Sequence, residues 1–166
     1  MKCITTLNEK SLNLNSDLVK FIRYWIPVII WCCIICWMST ETFSSEQTSR
    51  FIMPVIHFLF HWLSPQGADL MHWMIRKSGH FTVYFIFGLL LFRAFYGVSL
   101  QKRSLYLAVY SVIILIFFAM IDELHQSFIP SRTFLLSDVA IDSAGGIFAQ
   151  VAIIFRKKTI RYYKES

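Results

Sequence analysis

The sequence predicts an all-α membrane protein: a bundle of four transmembrane helices with an interfacial or re-entrant helical segment between the first and second spans. Three observations carry that prediction. The 166-residue chain is 56% apolar and 17% aromatic with only 16% charged residues, a composition outside the range of soluble domains. Four of its runs approach or exceed the ~18 apolar residues that a helix needs to cross a bilayer core. Its basic and acidic residues also sort to opposite ends of those runs.

The first span is expected over about 21–39. The 20 residues before it are polar, and no small-residue cleavage site follows it, so the run is expected to stay as a membrane helix rather than leave as a signal peptide. The four cysteines, Cys3, Cys32, Cys33 and Cys36, all lie at this end, which does not suggest a disulfide scaffold. Cys32 and Cys36 share a helix face and fit apolar packing better than metal binding. Next comes FIMPVIHFLFHWLS, 14 residues before Pro65-Gln66-Gly67, too short and too apolar for a span or a free loop. An interfacial helical segment is expected over about 51–77, with Trp62 and Trp73 at headgroup level. His57 and His61, spaced i and i+4, read as packing on that helix rather than a metal pair.

The second span is expected over about 80–97 and the third over about 104–122. Pro130 then stops the helix, because it lacks an N–H, and Ser131-Arg132-Thr133 makes the turn. The fourth span is expected over about 138–155. Ser137 is positioned to cap it, and Asp138 lies where the helix dipole favours a carboxylate. There is no internal repeat and no linker, so residues 1–166 read as one integral membrane domain.

Orientation follows from the basic residues. With the N-terminus in the cytoplasm, the inner segments hold Lys2, Lys10, Lys20 and Arg23, then Arg93, Lys102 and Arg103, then Arg156, Lys157, Lys158, Arg161 and Lys164, which is 12 of the 16. Both termini are then cytoplasmic and every inner segment obeys the positive-inside rule. The net charge of +6 is thereby explained by lipid headgroups rather than nucleic acid, and the tail RKKTIRYYK reads as a membrane anchor. Seven of ten acids and all five histidines fall on the other side, so any chemistry faces away from the cytoplasm.

Spacing collects those polar residues into one place. Lys77, His80, Tyr84 and Gly88 form a stripe down the second span, polar above and small below. Asp122, Glu123 and Gln126 end the third span, with Asp122 and Gln126 one turn apart. In the fourth, Asp138 and Asp142 stand above Gly145 and Gly146, so Gly88, Gly145 and Gly146 are the expected close helix contacts. An ionised carboxylate near mid-helix costs on the order of 3 kcal/mol in a bilayer, so Asp142 must face the bundle and find a partner. Lys77 and Arg132 are the available cations, fewer than the acids, so a held proton, a charged His80 or a bound cation balances the set. The nine polar residues therefore read as a candidate pocket open to the outside, against the plainer alternative of ion pairs that only lock the helices in register.

At these residues the chain resembles the VanZ-like family of bacterial membrane proteins. The resemblance rests on KSGHFTVYFIFGL from Lys77, DELHQSFIPSR from Asp122, SDV from Ser137 and DSAGG from Asp142, with a weaker block FSSEQ from Phe43. It covers about residues 35–155 and is nearer a large Lys/His-containing branch than the founding protein; Asp142 stands where Asn is usual, and Ser131 where Gly is. The resemblance implies an envelope protein linked to resistance to the glycopeptide teicoplanin, whose ligand is a lipoglycopeptide or a lipid-linked cell-wall precursor. Two readings stay open. One is a binding protein holding an amphiphilic headgroup, with Arg132 and Lys77 as anion contacts. The alternative is an intramembrane enzyme acting on a lipid-linked phosphate or glycan, with Asp122 and Glu123 binding a divalent cation, Mg or Ca for oxygen ligands or Mn or Zn with His80, or sharing acid–base work with His80. No phosphate loop or nucleophile motif assigns a reaction. A third reading, ion conduction, conflicts with the dry inner halves of the spans.

The topology predicts an outcome: with the native cysteines replaced, Phe134→Cys should react with an impermeant maleimide added outside intact cells. Labelling from the cytoplasmic face alone would overturn it.

Overall fold

The computed structural model describes the backbone of residues 2–100, 103–130 and 132–165, and the side chains of 17–100, 103–130 and 132–159. Ser131 of the expected turn lies outside the described residues, as do Lys102 and the side chains of Cys3 and of the terminal basic residues Lys2, Lys10, Arg161 and Lys164. Among the described residues five α-helices follow one another: α1 (Lys2–Met38), α2 (Ser45–Leu59), α3 (Pro65–Val98), α4 (Ser104–Gln126) and α5 (Leu136–Glu165), with a short 3₁₀ turn at Glu41–Phe43. No strand occurs among the described residues. Four helices contain a membrane-length apolar stretch: Asp17–Met38, Pro65–Val98, Ser104–Gln126 and Leu136–Thr159.

The segment between the first and second spans differs from the sequence expectation. A single helical stretch over about 51–77 followed by a span from 80 does not form. Instead α2 ends at Leu59, and Pro65 begins α3, which continues unbroken for 34 residues. The cause is local. Proline at the first position of a helix loses no hydrogen bond and has a suitable φ, and the Ser64 hydroxyl caps the turn by accepting from the Gly67 N–H at 3.2 Å. At 1.5 Å per residue α3 is on the order of 50 Å long, against a hydrocarbon core of ~30 Å, so it is longer than a straight crossing needs. His61 consequently lies past the end of α2 with its ring 5.1 Å from that of Trp62, and it does not share a helix with His57.

The α2 helix has its own cap, the buried Ser44, whose hydroxyl accepts from Gln47 N–H at 3.3 Å. Only Ile56 is buried on it, while Phe51 and Phe58 are largely exposed. A short helix with an apolar face turned away from the protein suits the edge of a bilayer.

The core lies between α1, α3 and α4, where Val28, Ile35, Tyr84, Phe87, Leu91 and Leu115 are buried. The Trp31 indole N–H donates to the Val83 carbonyl at 3.0 Å and fastens α1 to α3. Cys32 packs at the edge of this core. The closest approach is between α3 and α5, and it depends on glycine. A Cβ on Gly88 would stand 3.1 Å from both the Ala149 methyl and the Gly146 carbonyl. One on Gly145 would strike the backbone carbonyl of Phe81, and one on Gly146 the side chain of Leu115 on α4. The three glycines expected as helix contacts thus let the backbones of α3 and α5 come together and seat the Leu115 side chain of α4 against α5.

Two glycine substitutions separate this packing from helix propensity. Gly145→Ala drives a methyl into backbone that cannot yield and should lower stability by about 1–3 kcal/mol. Gly79→Ala, where an added Cβ meets nothing within 4 Å, should be neutral or stabilise by up to about 1 kcal/mol. Thermal unfolding in detergent checks both.

Candidate functional site

The polar residues of α3 and α5 pair rung by rung. These helices run parallel, and Lys77 meets Asp138, His80 Nδ1 lies 3.2 Å from Asp142 Oδ1, and Gln150 Nε2 donates to the Gly88 carbonyl at 2.8 Å. The partners are separated by 61, 62 and 62 residues, so one helix register sets all three contacts. Ser137 lies inside the first turn of α5 rather than capping it, and its hydroxyl donates to Asp138 at 3.2 Å. The backbone N–H of Leu135 just before α5 is held instead by Glu123 Oε1 at 2.8 Å. A carboxylate from α4 therefore holds the residue that precedes α5.

A second network joins α1, α3 and α4. Asp122, one turn from Gln126, is the acceptor at its centre. The Ser39 hydroxyl donates to Oδ1, while the Tyr84 hydroxyl at 3.3 Å and Gln126 Nε2 at 3.1 Å donate to Oδ2. Arg132 closes the network by giving Nη1 to Gln126 Oε1 at 2.7 Å and Nη2 to the Met38 carbonyl at 3.1 Å, one of the carbonyls that the end of α1 leaves without a helical partner. Four buried polar atoms of these two networks have no hydrogen-bond partner: Glu123 Oε2, Asp142 Oδ2, Arg132 Nε and Gln150 Oε1.

A cavity of about 180 Å³ opens between α1, the 3₁₀ turn, α2, α3 and α4. Its apolar wall comes from Ile35, Met38, Phe43, Ile52, Ile75 and Val83. Its polar wall includes His80, Tyr84, Asp122, Gln126 and Arg132, five of the nine residues expected in a pocket. The other four, Lys77, Glu123, Asp138 and Asp142, do not line it. Lys77 faces a separate shallow groove beside Trp73, Phe81 and Ile141, and Asp138 and Asp142 are turned toward the α3–α5 contact. Among the described residues no three His, Cys, Asp or Glu side chains converge as metal binding would require, because the acids are spread over these separate networks.

Three polar residues of the cavity were not singled out from the sequence. Arg76 donates through Nη1 to the Phe43 carbonyl at 3.1 Å and to the Thr48 hydroxyl at 2.8 Å, holding the start of α2 against α3. A signal for it existed, since Arg76 stands one turn before His80. Thr48 and Ser39 had none: a lone hydroxyl near a helix end ordinarily reads as a cap. Arg132 lies on the connection between α4 and α5. Burial, and then the nearby Arg76 guanidinium, push its pKa below the usual arginine range, while Asp122, Glu123 and Asp138 oppose that shift. It stays a cation, with five N–H donors and no acceptor.

A family model described as VanZ/LLP1 matches residues 24–157, which contain all the networks above. Comparison with curated proteins and with solved structures finds no match.

Pairing across α3 and α5 has a measurable consequence. His80→Ala strands a carboxylate that is 1% exposed and should cost about 3–5 kcal/mol. The double variant with Asp142→Ala should cost less than the sum of the two single changes. Lys20→Ala, which breaks an exposed pair with Asp17, should cost less than about 1 kcal/mol. Unfolding of the four variants in detergent measures the coupling.

Proposed function

The chain belongs to the VanZ/LLP1 family of membrane proteins, and from that premise we propose that it is a cell-envelope protein whose extracytoplasmic cavity holds an amphiphile. The single observation that carries this reading is the composition of the cavity: an apolar wall from α1, α2 and α3 faces a hydrogen-bonded polar wall from α3, α4 and Arg132. A hydrocarbon chain gains by leaving water for the first wall, and a polar head finds donors and acceptors on the second. The position of the cavity among membrane-length helices supports a ligand that arrives through the bilayer.

The extracytoplasmic placement rests on the basic residues, which gather at the far ends of the same helices. With that orientation the ligand is a lipid-linked cell-wall precursor or a lipoglycopeptide such as teicoplanin, and occupancy of the cavity alters how the two meet. The positions of Arg76 and Thr48 support a role for α2 as a movable cover, because two hydrogen bonds from one guanidinium hold its N-terminal turn.

Gly79 allows a direct test. It lines the cavity and an added Cβ there meets nothing within 4 Å, so Gly79→Phe should fill cavity space without a clash at its first carbon. In neutral maltoside micelles the wild type should bind hexadecanol, and Gly79→Phe should bind it at least roughly tenfold more weakly while unfolding at the same temperature. In a susceptible bacterium the wild type should raise the teicoplanin concentration needed to stop growth, and Gly79→Phe should not. Equal hexadecanol binding by both proteins overturns the pocket; no difference from empty vector overturns the link to teicoplanin.

A further inference from the structure

We infer that the polar end of the cavity is an anion subsite, formed by Arg76 and Arg132, for the phosphate of a phosphate-bearing amphiphile. The inference deepens the amphiphile reading above and rests on it. Both guanidiniums line the cavity, one from the first half of α3 and the other from the α4–α5 connection, so they approach it from two directions. Both are partly buried.

Neither is matched by a carboxylate. The ion pairs among the described residues are Lys20 with Asp17, Arg50 with Glu46, Lys77 with Asp138 and His80 with Asp142. Arg76 and Arg132 bond only neutral acceptors: two backbone carbonyls, one hydroxyl and one amide oxygen. Arg76 makes these bonds through Nη1 alone, and Arg132 Nε is buried without any partner. A guanidinium removed from water normally seeks a counter-charge.

The acids that would supply one are committed elsewhere. Asp122 is the only carboxylate on the cavity wall, and three neutral donors already surround it. Asp138 and Asp142 face Lys77 and His80, and one oxygen of Glu123 holds the Leu135 N–H. Counting His80 with its own partner, the wall carries two arginines against one carboxylate and so one uncompensated positive charge. An anion between the two groups would relieve it, and a tetrahedral phosphate offers enough oxygens for two planar forks, where a neutral head offers no charge. The hydrocarbon part of the ligand would then lie along Ile52, Ile75 and Val83.

The test compares hexadecyl phosphate with hexadecanol, each titrated into the full chain in neutral maltoside micelles and read by native mass spectrometry. The phosphate should bind wild type at least roughly tenfold more tightly than the alcohol. Arg76→Gln and Arg132→Gln should each remove most of the ester's advantage over the alcohol measured on the same variant, with thermal unfolding in detergent showing that each is folded; Arg132→Lys should keep part of it. Inorganic phosphate added alone distinguishes the sources: displacement of the ester at equal concentration supports a free-anion site, and failure to displace it supports a lipid headgroup. If ester and alcohol bind wild type equally and Gly79→Phe displaces both, the amphiphile pocket stands and the anion subsite falls. If neither binds, both fall.

Discussion

A carboxylate inside a bilayer needs a partner close by, and Asp142 meets His80 across two parallel helices whose backbones almost touch. That closeness depends on Gly88 and Gly145 a turn or two deeper, where any larger residue would push α3 and α5 apart, while Gly146 makes room for Leu115 of α4. Packing and charge are therefore one constraint. Spread the helices by the width of a methyl group and both the Lys77 and His80 contacts lengthen, leaving buried acids uncompensated. The buried Gln150, bonded to the Gly88 carbonyl, adds a polar lock at the level of the glycines.

The α3–α5 register also determines what the cavity contains. By drawing Asp138 and Asp142 toward Lys77 and His80, it removes two acids from the cavity wall and leaves Arg76 and Arg132 facing it with Asp122 alone. Had those acids turned the other way, the same composition would have produced a neutral or acidic pocket. Arg132 has a structural task as well, since it satisfies a carbonyl at the end of α1 and a side chain of α4 at once. It thereby ties the first span to the connection between the last two. The α2 helix is held differently: among its residues only Ile56 is buried, and Arg76 bonds the Thr48 hydroxyl and the Phe43 carbonyl at its start.

The helical class, the four apolar runs and the family resemblance were legible in the sequence because a bilayer imposes length and composition directly, with no need for knowledge of the partners. The stripe of Lys77, His80, Tyr84 and Gly88 was legible for a similar reason: residues three or four apart share a helix face whatever lies opposite. Less was legible between residues 40 and 79. Pro65 reads equally well as a helix stop and as a first helical residue, and only the Ser64 cap with an unbroken continuation to Val98 distinguishes the two.

By itself, then, the sequence determined the all-helical membrane architecture, the gathering of acids and histidines at one end, and the small residues that let helices approach. Those properties are written in periodicity and solvent preference, which act within one segment. Tertiary structure alone decided which acid meets which base, that a glutamate rather than a serine holds the approach to α5, and that Arg76 rather than Lys77 reaches the cavity. Neighbouring residues on a helix point about 100° apart, so adjacent cations such as Arg76 and Lys77 serve different neighbours, and those neighbours exist only once the helices have packed.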